Sequence, residues 1–308
     1  MIEPSRIFPK EDRELRTLTR ARENLVNNCT QLKNRIHQTL EYSCIKISSV
    51  LSDIFGKSGR YLLDGLLEGK TIDEILIGTK SKTIRKKEQQ LREAIKNSLD
   101  PAQILVIRYY LEQMEETRKK IDNLDTEIMS RIERMKEDVE IAMSIPGIAF
   151  TSASSILAEI GNYRDFANGN KLAAWCGLVP SIYESANKRI TGSITKQGSK
   201  HVRRMLVQVA HAISRTKNSR LKSFFMRIKA KKGTKVAVVA LARKVLCILH
   251  HLLVNREMYE ESGNLKPKPL KFDRTSSPIQ ITEQDMIDAL LKAGYIIKKM
   301  DKEVNTGS

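Results

Sequence analysis

The 308-residue chain has little of what staples or punctuates a small secreted protein. Its four cysteines, Cys29, Cys44, Cys176 and Cys247, lie far apart and none forms a C-x-x-C pair. Neither a disulfide framework nor a zinc finger is signalled. Eight prolines and fifteen glycines are too few for collagen-like or low-complexity character. The opening stretch, Met1 to Arg13, is charged and holds no apolar run of the signal-peptide kind. The longest apolar stretch, Val236 to Val254, is interrupted by Arg243, Lys244, His250 and His251, which suits a buried or amphipathic helix better than a membrane span. A cytoplasmic location with no membrane partner is therefore the expectation. Hydrophobic residues make up 41%, and the length allows two or three domains with cores of their own.

The most informative deficit is of acid, and it is local. Residues 1–140 hold 26 Lys and Arg against 24 Asp and Glu, residues 141–184 hold 2 against 3, and residues 257–308 hold 8 against 9. Residues 185–256 hold 18 cations and no carboxylate, so the net charge of +18 sits in one segment. Like charges packed together repel, and a polyanion relieves them. Nucleic acid is the partner this pattern points to.

Periodicity describes a mainly α protein. Leu15, Leu18, Leu25, Cys29, Leu32 and Ile36 form an apolar stripe over residues 11–42, interrupted at Arg22, which reads as a helix with a coiled-coil seam. Residues 43–100 read as several short helices, with a capping box at Thr71 and Glu74 and a polar helix over Lys82 to Leu99. A second stripe runs from Ile104 through Ile107, Leu111, Met114, Ile121, Leu124, Ile128, Ile132 and Met135 to Val139, interrupted at Arg118. As one helix it would span about 60 Å. The two long helices are expected to form either an antiparallel hairpin or a dimerising coiled coil. Pro146-Gly147 ends the second. A compact helical domain follows, with helices over Ser152 to Ile160, Lys171 to Cys176 and Lys200 to Arg215, and then two basic helices near Arg220 to Lys231 and Thr234 to Asn255. Residues 181–198 are extended, a short strand or hairpin segment punctuated by Gly192 and Gly198. The domain boundaries expected are 1–10 as the exit from an upstream domain, 11–144 as the coiled-coil region, 145–256 as the basic C-terminal domain, and 257–308 as a Lys-Pro linker with a terminal helix near Glu283 to Ala293.

Two motifs could carry chemistry. Ile145-Pro146-Gly147-Ile148-Ala149 resembles a helix-hairpin-helix turn, in which glycines let backbone N–H groups approach a phosphate at the next helix start. Ala149 replaces the second glycine, so the turn is either a phosphate site or a purely structural hairpin. The second pattern is longer: Leu172-Ala173-Ala174-Trp175-Cys176-Gly177-Leu178-Val179-Pro180, then Tyr183-Glu184-Ser185, then Gly192 to Gly198, then Arg203-Arg204. With the Leu63 to Leu76 stretch, these motifs resemble the insertion-sequence transposases of the IS116/IS110/IS902 type. Intact members join an N-terminal RuvC-like DEDD domain, through a coiled coil, to a C-terminal serine domain, and some act as recombinases guided by a bridge RNA. The resemblance runs from about Ile7 to Asn255.

That resemblance implies that Ser185 is the catalytic nucleophile on a DNA phosphodiester, with Ser193 and Ser199 as fallbacks. Ala186 stands where the family usually has glycine. A free hydroxyl needs activation and the developing phosphorane charge needs cations. Lys188, Arg189, Lys196, Lys200, Arg203 and Arg204 are candidates, with Arg215, Lys217, Lys231, Lys232 and Lys235 as further nucleic-acid contacts. His201 is the nearest histidine in sequence. The four acidic metal ligands of intact members have no counterpart in these 308 residues. Glu11, Asp12 and Glu14 read as first-turn acids, and Asp122 and Asp125 as solvated. No metal site or cofactor is expected within the chain, and Mg²⁺ only with the acidic domain. The expected function is that of a DNA-binding transposase or recombinase in N-terminally truncated form, with DNA, a structured guide RNA and a second copy of the chain as candidate partners. The alternatives are a non-catalytic dimeric nucleic-acid-binding protein, or a coiled-coil scaffold whose basic domain meets an acidic protein. Trp175, Phe224 and Phe225 are expected in the core, and His250 and His251 in structural or solvent-facing roles.

Overall fold

Two long helices set the frame of the computed structural model, which describes residues 7–185, 188–217 and 219–261. Helix α1 (Lys10–Tyr42) and helix α7 (Pro101–Ile132) run antiparallel, so the hairpin alternative is the one found. Arg22 meets Asp125 near one end of the pair, the Cys29 thiol faces the Met114 carbonyl at 4.0 Å, and Ser43 Oγ donates to Gln103 Oε1 at 2.7 Å near the other. Leu15, Cys29, Leu32, Ile36 and Leu40 bury the predicted stripe of α1 against Ile107, Leu111, Met114, Ile128 and Ile132 of α7. Arg22, which breaks the stripe in sequence, makes a two-pronged contact with Asp125, with Nη2 donating to Oδ2 at 3.0 Å. Asp125 is thus a partner across the seam and not a solvated acid. Asp12 and Glu14 likewise take Arg134 and Arg131 from the opposite strand of the hairpin.

Between the long helices lie α2 (Ile47–Val50), α3 (Lys57–Leu67), α4 (Ile72–Ile77), α5 (Lys82–Lys86) and α6 (Glu88–Ala94). The predicted capping box is present. The Thr71 N–H donates to Glu74 Oε2 at 2.7 Å, and the Glu74 N–H donates back to Thr71 Oγ1 at 3.4 Å. The helix expected over Lys82 to Leu99 is split. Lys87 leaves helical geometry (φ −115°, ψ 18°) while its Nζ donates to the Val50 carbonyl at 2.6 Å. These helices close a core of their own with the distal halves of α1 and α7, built on Ile45, Ile54, Leu62, Leu63, Ile84 and Leu91.

The single helix expected through residue 144 is also divided. A 3₁₀ turn over Glu133–Met135, with Met135 non-helical, separates α7 from α8 (Lys136–Ser144). The apolar stripe carries on across this break, and no glycine or proline marks it in sequence. Helix α9 (Phe150–Ile160), a 3₁₀ turn over Tyr163–Asp165, α10 (Gly169–Trp175), the antiparallel hairpin of β1 (Pro180–Ser185) and β2 (Lys188–Ile194), α11 (Lys200–Arg215) and α12 (Arg220–Asn255) complete a basic lobe. Its core takes in Leu15, Ile128 and Ile132, so the near end of the long hairpin is part of the lobe.

Helix α12 passes through a non-helical Gly233 (φ 80°, ψ 170°). Phe224 and Lys244 would be about 30 Å apart along a straight helix, yet Lys244 Nζ lies 4.7 Å from the Phe224 ring centroid. The chain therefore folds back at Gly233, giving the two basic helices expected. By length and composition α12 could cross a membrane. Here Leu241, Val245, Leu246, Leu249 and Leu253 of its second arm are buried in the lobe core. Trp175 packs on Phe166 with ring centroids 5.4 Å apart. The expected linker and terminal helix after Ser262, the first six residues, and the Ala186 position lie outside the described residues.

Candidate nucleic-acid interface

The hairpin that carries Ser185 grows from a close crossing of backbone. Gly177 (φ 68°) follows α10, and a Cβ there would overlap the carbonyl oxygen of Gln197. Gly198 (φ 74°) faces the Trp175 carbonyl with the same lack of room. Only residues without a side chain let these two segments touch, and both positive φ values favour glycine. The Thr195 N–H donates to the Val179 carbonyl at 2.9 Å, and the Lys196 N–H to the Gly177 carbonyl at 3.2 Å. Lys196 itself holds a left-handed φ of 58°.

Arg203 locks this crossing from α11. Its Nη1 points at three carbonyls, of Gln197 (2.6 Å), Gly198 (3.0 Å) and Cys176 (3.1 Å). An always-charged fork is suited to gathering carbonyls that have no other partner. The residue expected as a phosphate contact is therefore committed to the hairpin root. The nearby Cys176 thiol is pushed up to about 12 by burial, which outweighs the neighbouring Arg203 charge. It stays a neutral thiol and offers no competing nucleophile.

From this root the two strands run out in register, with Pro180 opposite Ile194 and Ser185 opposite Lys188, and Glu184 opposite Arg189. Ser185 ends β1, and the pairing sets it opposite one cationic position, Lys188, with Arg189 one step along β2. Of the fallback serines, Ser199 has its hydroxyl engaged, whereas Ser193 is shown bonded only through its main chain. Ser199 caps α11, accepting from the Val202 N–H at 3.4 Å and donating its own proton to Glu159 Oε2 at 2.7 Å. The Ser193 carbonyl accepts from Ser181 Oγ at 2.9 Å.

Glu159 is the residue that sequence reading passed over. It sits in an apolar helix with 2% of its side chain exposed. Arg20 donates to both of its oxygens, at 2.6 and 3.0 Å, and Arg16 Nη2 donates to its main-chain carbonyl at 2.9 Å. Burial opposes its ionisation, but the bonds from Arg20 and Ser199 and the Arg20 and Arg16 charges prevail and hold its carboxyl below the usual range. One carboxylate thus ties α1, α9 and the start of α11 together. No spacing rule reveals it, because its arginines lie 139 or more residues away.

A second carboxylate of α1 works beside it. Glu23 accepts from Arg204 and faces His201 Nδ1 at 2.7 Å, and Arg204 Nη2 donates to Asn27 Oδ1 at 2.8 Å. Arg204 and His201 therefore dock the lobe on the long hairpin. Arg256, at the end of α12, pairs with Asp138 and with Glu137 of α8, the latter at 3.4 Å.

The remaining candidates face outward. Lys196, Lys200, Arg215, Lys217, Lys231, Lys232 and Lys235 are exposed. The last three flank the Gly233 fold-back. The helix-hairpin-helix-like turn joins α8 to α9, with the Ala149 N–H donating to Ser152 Oγ at 2.9 Å. Gly147 of the turn lies close against Ile213 and Ala212 of α11. His250 is buried and its Nε2 lies 3.1 Å from the Phe166 carbonyl, while His251 is exposed. Phe225 is in the core, but Phe224 is only half-buried, in a groove with cations. Among the described residues, no group of three or more His, Cys, Asp or Glu side chains is arranged to hold a metal ion.

Residues 139–226, from within α8 into the first arm of α12, match the family model described as Transposase IS116/IS110/IS902 family. The chain is 32% identical over 136 residues to the transposase for insertion sequence element IS1111A of Coxiella burnetii, covering 43% of this chain and 37% of that protein. It is 27% identical over 157 residues to a probable family 20 transposase of Pseudomonas aeruginosa, covering 50% and 46%. It is also similar to the pilin gene-inverting protein of Moraxella bovis, 24% identical over 185 residues and 58% of each chain. The chain spans less than half the length of the first two relatives.

Proposed function

We propose, from the match of residues 139–226 to the Transposase IS116/IS110/IS902 family model, that the chain is a DNA-handling component of a transposase. Its basic lobe grips DNA in the cytoplasm, and Ser185 attacks the DNA backbone. One observation carries this reading. Within the acid-free segment 185–256, the cations that pair with carboxylates meet acids from α1, from α8 or just past the segment, whereas Lys196, Lys200, Arg215, Lys217, Lys231, Lys232 and Lys235 stand exposed with no ion pair among the described residues. Exposed cations of one sign, held on one lobe, are what a polyphosphate backbone requires. The relatives' printed names, transposases and a gene-inverting protein, agree with a DNA substrate.

The proposed chemistry is a transesterification. The Ser185 oxygen forms an ester bond to phosphorus while one bridging P–O bond of the strand breaks. The proton given up by Ser185 ends on the departing strand-end hydroxyl. The hairpin's contribution is position, because a root fixed by Gly177, Gly198 and Arg203 holds the end of β1. Lys188, opposite Ser185 on β2, and Arg189 beside it are the cations nearest in register to stabilise the charge on phosphorus. A second copy of the chain is a further partner in the assembly on DNA. A guide RNA is a further partner of the same basic surface.

The test is formation of a denaturant-resistant protein–DNA adduct when the chain is mixed with supercoiled DNA, Mg²⁺ and a full-length family member. An adduct of this chain that vanishes in Ser185→Ala is the expected result. An adduct retained in that variant, or none with the unaltered chain, removes Ser185 from the mechanism.

A further inference from the structure

The fold-back of α12 creates a groove that the phosphate-gripping reading does not use. It has a volume of about 550 Å³ and is lined by Arg220, Phe224, Arg227, Lys244, Tyr259 and Glu260, among others. That is within the size range of small-ligand sites. Adjacent residues on a helix point about 100° apart, so with Phe225 in the core Phe224 must look elsewhere. It looks into this groove. Arg227 Cζ lies 5.6 Å and Lys244 Nζ 4.7 Å from its ring centroid. Neither cation makes an ion pair among the described residues, and the ring is their contact.

The groove's wall is fixed from outside. The Tyr259 N–H donates to Ser144 Oγ at 2.8 Å, and Glu261 Oε1 accepts from the Arg220 N–H at 2.9 Å at the start of α12. Glu260 is the one acid on the lining, against three cations.

We propose that this groove takes one unpaired nucleotide of a nucleic-acid strand, with Phe224 stacking on the base and Arg227 and Lys244 meeting the phosphates on either side. A duplex backbone presents sugars and phosphates and has no use for an aromatic face. An unpaired base has a π-face and flanking charge, and proteins that hold single strands combine aromatic platforms with cationic grooves. The two cations that now lie over the ring exchange that contact for phosphate when the base arrives. A cation–π contact at an exposed site is weaker than base stacking on an aromatic ring, so the exchange favours the bound state. The inference rests on the nucleic-acid reading of the lobe and names the form of strand that one part of it takes.

The test is binding of the full chain to three fluorescent probes at one salt concentration: dT15, U15 and a 15-base-pair DNA duplex. Phe224→Leu keeps an apolar side chain of similar reach and removes the ring. It is expected to weaken the single-stranded probes by about five- to a hundredfold and leave the duplex unchanged, with Phe224→Tyr restoring the single-strand affinity. A larger loss on U15 assigns RNA as the source of the nucleotide, and a larger loss on dT15 assigns DNA. Equal loss on all three probes without rescue by Phe224→Tyr, or no loss on any, overturns the groove assignment while leaving the duplex-binding reading intact. Failure of the unaltered chain to bind any probe overturns both.

Discussion

In the long hairpin, cations meet carboxylates across the seam between its helices: Arg22 with Asp125, Arg131 with Glu14, Arg134 with Asp12. In the basic lobe the same residue types have few carboxylates to meet. Arg204 and His201 borrow Glu23 from α1, Arg256 borrows Glu137 and Asp138 from α8, and Arg203 is spent on carbonyls. The other lobe cations described above stay in water. The hairpin uses charge to set register and attach the lobe, and the lobe keeps its surplus for a partner. The comparison separates two kinds of basic residue that look alike in sequence: those that hold the fold, and those that lose nothing when a polyanion takes them.

The strongest way to break this division is at the junction of the two regions. Glu159→Ala leaves Arg16 and Arg20 facing a buried gap. It should cost about 3 kcal/mol, the lower end for removing one partner of a buried pair because Arg20 is partly exposed. Urea unfolding reads this directly. The pH dependence follows from the same group. Its folded carboxyl titrates below the usual range, so the stabilisation is complete above the unfolded value, near pH 4–5, and is lost as pH falls through the folded value. Glu159→Gln should flatten that acid limb.

Arg203→Ala should cost about 2 kcal/mol, since three carbonyls at the hairpin root lose a charged donor. Limited proteolysis between residues 180 and 198 should accelerate by more than the global loss of stability accounts for. In the hairpin, Arg22→Ala should cost about 1 kcal/mol, because its partner Asp125 is 37% exposed. It should leave DNA affinity unchanged. The smallest stability effect belongs to the lobe's free charge. Replacing Lys231, Lys232 and Lys235 together by alanine should move unfolding by no more than about 0.5 kcal/mol. The dependence of log affinity on log salt should nevertheless flatten by about 2 to 3. If that triple variant unfolds like Arg203→Ala, the two classes of cation are one.

Much of the fold could be read from the sequence because it rests on local rules. The α1 stripe, the Thr71–Glu74 box, the bounds of α11 and the break at Gly233 are written in spacing and in residues with narrow conformational preferences. What could not be read depends on long-range partners. The turn at Glu133–Met135 has no breaker residue, and Lys87 leaves the helix where it reaches Val50. At the site, the segment's charge and the Ser185 hairpin could be found. The commitment of Arg203 and Arg204, and the role of Glu159, could not, because each is defined by groups brought together only by folding. Phe224 is expected in the core with Phe225, but one helical step turns it to the core's edge, where it packs half-buried.

The central claim is that the lobe's exposed cations are reserved for polynucleotide phosphate. Its most direct test is the affinity of the full chain for a short DNA duplex measured between 50 and 200 mM salt. With six to ten phosphate contacts, affinity should fall by roughly 10³- to 10⁵-fold over that range. An affinity that barely changes with salt would contradict it.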